Sequence, residues 1–402
     1  MASIFSQALT EIKMSPIVLI SEEVRNIAPE FYERSGKKFV MFQRGEIDFP
    51  TPKYIVEAAK KALDSGFTKY PKSGGEKKLK EVLIEKLESY NNAKNLVPSN
   101  VVATYGGQEA LELAFKLFEG KKGAGFAPTW SCVLENFLPY SRVDFTQVPL
   151  NEDFSIDFDA LEKVMKDVNF FYLNTPQNPT GKLFSEEEVR RIVELCEKYD
   201  TYLISDEAYE MIVYEEHKHF SPLAIESERI IGAFTFSKTF SMTGWRLGYL
   251  VTRNKEINEI IKLGNYTQTA GVTTFVQHAG IEALQNKNEF KKALDKIIDE
   301  FSKRREAMFK GFNSIEGIRV EKPFGGFYFF PSFTKFIPKN IIGAEREVYI
   351  YNKLLDKGIA AVYGSCFGKY FTDNVRFSFS ATPVDVIEEG MERMKDLFST
   401  GD

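Results

Sequence analysis

The stretch Asn169-Phe170-Phe171-Tyr172-Leu173-Asn174-Thr175-Pro176-Gln177-Asn178-Pro179-Thr180-Gly181, carried on through Ser185 to Asp206, decides the fold. Its first five residues form an apolar run of strand length. Ser185 to Tyr199 then reads as a helix, and Thr201 to Ile204 as the next strand. Ile230 to Phe236 and Gly248 to Thr252 repeat the strand pattern further along. Strand–helix–strand alternation implies an α/β fold, a mainly parallel sheet with helices on both faces. In such sheets ligands bind beyond the carboxyl ends of the strands. Asn178, Asp206, Tyr209 and Lys238 all follow these strands, so the polar motifs converge on one edge.

After about Ala283 the character changes. A charged helical pattern runs from Glu289 to Phe312, and strand-like pieces follow at Gly326 to Phe330 and Arg376 to Ser380. The expected organisation is a large domain over 45–285 and a smaller α+β domain built from both chain ends, 1–44 and 286–402. The chain has 402 residues, enough for two such units. Its net charge of −5 gives no global basic field, which argues against nucleic acid as the main partner. Cys132, Cys196 and Cys366 are odd in number and far apart, which is no disulfide framework and fits a reducing cytoplasm. No apolar run reaches the length of a membrane span, and residues 1–20 have no signal-peptide form. The expectation is a cytoplasmic protein.

The chemistry is densest in Thr235-Phe236-Ser237-Lys238-Thr239-Phe240-Ser241-Met242-Thr243-Gly244-Trp245-Arg246. A lysine just past an apolar strand, flanked by hydroxyls, is placed to react with an aldehyde, and Arg246 to hold a phosphate. Pyridoxal phosphate (PLP) offers both groups. Two prolines and Gly181 make the loop around Asn178 rigid, so its amide is presented in one orientation. In Ser205-Asp206-Glu207-Ala208-Tyr209, a carboxylate can pair with a protonated pyridine nitrogen, or the segment can cap a helix. Tyr105-Gly106-Gly107-Gln108-Glu109 opens a helix whose exposed N–H groups suit a phosphate, although Glu109 has to point away.

Trp130 offers a flat ring to stack, or a core residue. Arg376, in an alternating strand pattern, is a fork for a carboxylate or an ordinary edge-strand arginine. His217 and His219 lack a third neighbouring ligand, so the pair reads as solvated rather than as a metal site. No Gly-x-Ser-x-Gly elbow supports a triad hydrolase. The charged runs Lys77 to Glu85 and Lys303 to Glu306 read as solvated helix faces.

Together these motifs, from Gly45-Glu46-Ile47-Asp48-Phe49 to Arg376-Phe377-Ser378, resemble the class I/II aminotransferases of the aspartate aminotransferase superfamily, PLP enzymes of fold type I. The resemblance implies that Lys238 is the Schiff-base lysine and moves the proton between the α-carbon and the cofactor's C4′. It implies that Asp206 partners the pyridine nitrogen, and that Tyr209 and Asn178 contact the phenolic oxygen. Trp130 matches the stacking aromatic, and Gly107, Gln108, Thr235 and Arg246 match the phosphate cradle. Arg376 matches the anchor of the substrate α-carboxylate, with Asn178 and Gly45 beside it. Tyr70 matches a tyrosine that reaches the neighbouring subunit's phosphate, which implies a homodimer.

Three departures stand out. Ile47 replaces the usual proline of Gly-Glu-Pro-Asp. Gln43, followed by Arg44, stands where a small residue is common. Tyr363 replaces the proline before Gly364. The implied reaction is ping-pong transfer of an amino group from an α-amino acid to a 2-oxo acid such as 2-oxoglutarate. Aspartate is the first expectation for the donor, with Arg44 the candidate second cation; without one, an aromatic or other neutral donor follows. A PLP-dependent carbon–sulfur β-lyase is the enzymatic alternative. A non-catalytic cofactor-sensing module is disfavoured by the presence of Lys238, Asp206 and Arg376 together.

Overall fold

The structure is a computed structural model that describes residues 4–215 and 217–399. Seven strands form its main sheet: β1 (Val101–Thr104), β2 (Lys122–Ala127), β3 (Asp144–Pro149), β4 (Phe170–Asn174), β5 (Tyr202–Asp206), β6 (Ile230–Thr235) and β7 (Gly248–Val251). Their order across the sheet is β1-β7-β6-β5-β4-β2-β3. All neighbours are parallel except β7, which runs antiparallel to both β1 and β6. The mainly parallel α/β sheet is therefore as expected, with strand ends shifted by a residue or two.

Each central strand is buried on both sides, which is why it reads as a continuous apolar run. Alternation divides its side chains between two cores. Val101, Ala103, Phe171, Leu173 and Leu203 pack on one face, and Val102, Phe170, Tyr172 and Ile204 on the other. The helix Glu186–Lys198 starts where Ser185 accepts from the Glu188 N–H and Glu188 accepts from the Ser185 N–H, at 3.1 and 2.8 Å. This reciprocal cap satisfies two otherwise orphaned donors.

A third apolar cluster gathers Val40 and Phe42 with Phe301, Phe312, Phe327, Phe329, Phe377 and Ile387. Val40–Met41 pairs in parallel with Ile359–Ala360, so the two ends of the chain share a small sheet. Val375–Ser378 is the middle strand of another, between Val362–Tyr363 and Tyr328–Phe329. Arg376 thus sits on a central strand, not an edge. The helix Pro16–Ser35 departs from this grouping, because Ile20 and Val24 join the core of the large sheet.

The run Lys303 to Glu306 is not a solvated face. Arg304 and Arg305 are buried. Arg304 makes a two-pronged pair with Asp48, both contacts 3.0 Å, and Arg305 reaches Glu215 at 2.8 Å. A helix face that packs on neighbouring loops needs long cations wherever those loops present carboxylates and carbonyls.

Lys86, on the helix Lys77–Tyr90, is buried against Glu210, which also accepts from Asn91 at 2.6 Å. The Lys86 ammonium lies 4.9 Å from the Phe234 ring centre. It fastens the turn after β5 to the back of β6 and β7. Removing one member of a buried pair strands the other charge, at about 3–5 kcal/mol. Lys86→Met should therefore lose about that much in denaturant unfolding, and Lys86→Met with Glu210→Leu should recover most of it. A loss under about 1 kcal/mol for the single variant would contradict this.

Candidate active site

The carboxyl ends of β4, β5 and β6 come level, with Asn174 beside Asp206 and Asp206 beside Ala233. Thr104, Gly248 and Thr235 make a second row. Gly248 is required there, because a Cβ would come within 2.5 to 2.7 Å of the backbone of Gly106, Gly107 and Phe234. That close approach seats the N-terminus of the helix Gly106–Lys116 on the sheet edge. Gly106 itself has a φ of +80°, and a Cβ would run into the Arg246 guanidinium. The two glycines let helix N–H groups and Arg246 share one small space, an arrangement suited to a phosphate.

Above this edge lies a cleft of about 1290 Å³. Its lining brings together Gly45, Gly107, Gln108, Trp130, Asn178, Asp206, Tyr209, Thr235, Lys238, Arg246 and Arg376. Tyr70 is the exception: it is 93% exposed and does not line this chain's cleft. Glu109 turns away from the phosphate seat, accepting from Asn265 at 3.0 Å, from Thr269 at 3.2 Å and from the Tyr105 N–H.

Lys238 Nζ donates to the Gly45 carbonyl at 2.6 Å. Burial in the cleft, with Arg376 and Arg246 adding repulsion, lowers its pKa to about 8, while Glu46 and Asp206 pull the other way. Asp206 is nearly enclosed and accepts from Tyr172 at 2.8 Å and from the Ala208 N–H at 3.2 Å. Burial pushes its pKa up to about 6, opposed by those hydrogen bonds, so it is ionised at neutral pH. No helix begins at Ser205 or Asp206; residues 208–211 form a turn, which leaves the Asp206 side chain facing the cleft.

Arg376 is fully buried. It donates to Asn178 Oδ1 and to the Gln43 carbonyl, both at 2.9 Å, and its guanidinium lies 4.4 Å from the Tyr328 ring centre. Its Nε–H has no partner. Asn178 is fixed in turn by Asn174, whose Oδ1 accepts the Asn178 N–H at 2.7 Å. Tyr209 and Tyr328 share a hydroxyl hydrogen bond of 3.0 Å. Thr235 bonds Ser237 at 2.9 Å, and Trp130 packs edge-on against Phe137.

Sequence reasoning missed Tyr172 and Tyr328. Both stand in apolar strand runs, and a tyrosine hydroxyl inside such a run needs a buried partner, which was the available signal. It missed the N-terminal wall of the cleft as well: Ile12, Met14, Ile17 and Val18 face the same space. His219 is not solvated. Its side chain is buried, 2.7 Å from Glu207, whereas His217 lies at the surface on Phe324. The two histidines diverge because the loop crosses from solvent to the back of β5.

Comparison with known proteins agrees with this geometry. A family profile described as "Aminotransferase class I and II" matches residues 37–394. A Methanocaldococcus jannaschii protein named "Probable aspartate aminotransferase" is 33% identical, covering 94% of this chain and 100% of its own. An Aquifex aeolicus protein named "Probable aspartate/prephenate aminotransferase" is 34% identical, covering 96% of each. Among solved structures, the Thermus thermophilus aspartate aminotransferase with maleate superposes with a TM-score of 0.89 at 27% identity, covering 98% of this chain and 100% of that one. The chain belongs to the class I and II aminotransferases. It is an enzyme of amino-group transfer, and a lyase is not favoured.

The depressed pKa of Lys238 gives a direct expectation. In cofactor-free protein, competitive labelling of amines followed by mass spectrometry should find Lys238 half-reactive near pH 8. Surface lysines should become reactive near their ordinary value of about 10.4. Coincident titration of Lys238 with the surface lysines would contradict the burial argument.

Proposed function

We propose that this aminotransferase uses PLP, takes aspartate as donor and 2-oxoglutarate as acceptor, and works as a homodimer. The observation that carries the cofactor reading is the spacing of complementary groups along one sheet edge. The Gly106 and Gly107 N–H groups and Arg246 suit a phosphate, and Asp206 suits a pyridinium nitrogen. Lys238 suits an aldehyde carbon between them. With its Oδ1 engaged by Arg376, Asn178 keeps its NH₂ group for a phenolic oxygen, and Tyr209 stands beside it. Trp130 supplies a face for the ring.

When bound, PLP supplies the carbonyl carbon for the amine and a conjugated ring that takes up the electron pair released with the α-proton. Arg376 holds the donor's α-carboxylate, its unpartnered Nε–H being one donor for that purpose. Lys238, with a pKa near the working pH, takes the α-proton and returns it one carbon away. The ionised Asp206, braced by Tyr172, keeps a proton on the ring nitrogen. The acceptor 2-oxo acid reverses the sequence on the same groups.

Exposed apolar side chains support the homodimer. Phe67, Tyr70, Tyr105, Leu263 and Tyr266 are each more than 40% exposed, a surface that a second subunit would cover. Tyr70 would then complete the neighbour's phosphate site. A small unit formed by 1–44 and 286–402 against a large one over 45–285 is supported by the shared two-stranded sheet and by the third apolar cluster. The described residues contain no helix long and apolar enough to cross a membrane, and we read the location as cytoplasmic.

The test is single-turnover chemistry. PLP-loaded protein mixed with L-aspartate and no oxo acid should give one equivalent of oxaloacetate per site and stop until 2-oxoglutarate is added. Lys238→Ala should slow that turnover by about 10²- to 10⁴-fold or more while still binding PLP. Continuous release of pyruvate and ammonia from a cysteine-type substrate would contradict transamination.

A further inference from the structure

Away from the cleft most arginines are matched with carboxylates, Arg34, Arg191 and Arg253 being the exceptions among the described residues. Arg142, Arg229, Arg304, Arg305, Arg346 and Arg393 each have such a partner. The four arginines that line the cleft, Arg25, Arg44, Arg246 and Arg376, have none among the described residues. An unpaired guanidinium facing a cavity is matched by charge that a ligand brings. A cofactor phosphate answers Arg246, and a substrate α-carboxylate answers Arg376. Two cations remain.

Their placement is specific. Residues 43–45 run directly between the two poles of the site, since the Gln43 carbonyl accepts from Arg376 and the Gly45 carbonyl from Lys238, at 2.9 and 2.6 Å. Arg44 is the residue between them. Gln43 also reaches across to Ser21 at 3.4 Å. Ser21 shares a face of the helix Pro16–Ser35 with Val18, Glu22 and Arg25, all lining the cleft at helical spacing. Arg44 and Arg25 therefore flank one contact, on the exposed side of the cleft, whereas Arg376 is fully buried. A donor with its α-carboxylate at Arg376 and its amine at the aldehyde position beside Lys238 has the side of the cleft lined by these two left for its side chain.

Glu22, Glu46 and Glu112 share the cleft lining, but among the described residues none is within ion-pair distance of Arg44 or Arg25. Glu46 accepts from Thr243 at 3.0 Å and Glu112 from Gln268 at 2.7 Å. Glu22 lines the cleft but forms no ion pair among the described residues, and Lys13 is taken by Glu135 at 3.4 Å.

We infer that Arg44 and Arg25 together form the subsite for the distal carboxylate of the substrate, and that both come from the same chain as Lys238. This rests on the transaminase reading above and names the residues that set its specificity. A ping-pong enzyme presents one subsite to two substrates whose carbon chains differ by a methylene, aspartate and 2-oxoglutarate. Two long, unpaired arginines on different segments can follow that difference in length, with both closing on the anion.

The experiment compares kcat/KM for L-aspartate, 2-oxoglutarate and L-phenylalanine in the PLP-loaded wild type, Arg44→Gln, Arg25→Gln and the double variant. Each single change should lower kcat/KM for both dicarboxylates by about tenfold to a hundredfold, the scale of a lost charged hydrogen bond. Phenylalanine should change less than about twofold, and Arg44→Lys should retain part of the dicarboxylate activity. Equal losses for aspartate and phenylalanine would assign the arginines a purely structural role and overturn the proposal. Unchanged dicarboxylate kinetics would overturn it as well. A wild type that turns over phenylalanine but no dicarboxylate would sink this inference together with the aspartate and 2-oxoglutarate assignment while leaving transamination standing; a wild type inert toward every amino acid would sink the transaminase reading beneath it.

Discussion

The rest of the site depends on a buried positive charge that the protein leaves without a carboxylate. Arg376 is fully enclosed, yet its partners are neutral: the Asn178 amide oxygen, the Gln43 carbonyl and the rings of Tyr328 and Phe367. Burying a guanidinium in this way is costly unless a counter-charge arrives. Those same contacts gather three distant parts of the sequence, because Gln43 precedes Arg44 and Gly45, Asn178 closes the rigid loop after β4, and Arg376 comes from the small central strand. The cation therefore acts as both a ligand anchor and the knot that fixes the cleft.

The opposite end of the cleft follows the same logic with different atoms. Arg246 lies against Gly106, where the absence of a Cβ is what makes room for it. Between these poles stand Lys238 and Asp206, whose burial moves their pKa values toward one another, to about 8 and about 6. That leaves a carboxylate still ionised at neutral pH and an amine that loses its proton readily, the protonation states acid–base chemistry at an α-carbon needs.

Much of this was legible in the sequence because the motifs occupy strand ends. Period and run length located β4 to β7 within a residue or two, and Asn178, Asp206 and Lys238 inherited their positions from those strands. What escaped has a common cause. Arg304, Arg305 and His219 look like solvated surface in sequence, and only the packing of a helix face or loop onto another segment buries them. Tyr172 and Tyr328 were hidden in apolar runs, where a hydroxyl contributes little to the pattern. The helix Pro16–Ser35 was assigned to the chain-end domain, but Ile20 and Val24 pack with the large core while Val18 and Ser21 face the cleft. Such two-sided use of a helix is set by tertiary contacts that one sequence does not encode locally.

The central claim is that the cleft's unpaired arginines are matched by ligand charge. A crystal structure of the protein with PLP and maleate tests it most directly. The account predicts the phosphate against Arg246 and the Gly106–Gly107 N–H groups, and one maleate carboxylate on Arg376 with the other toward Arg44 and Arg25. Maleate bound away from Arg376, or Arg376 paired instead with a carboxylate of the protein, would contradict it.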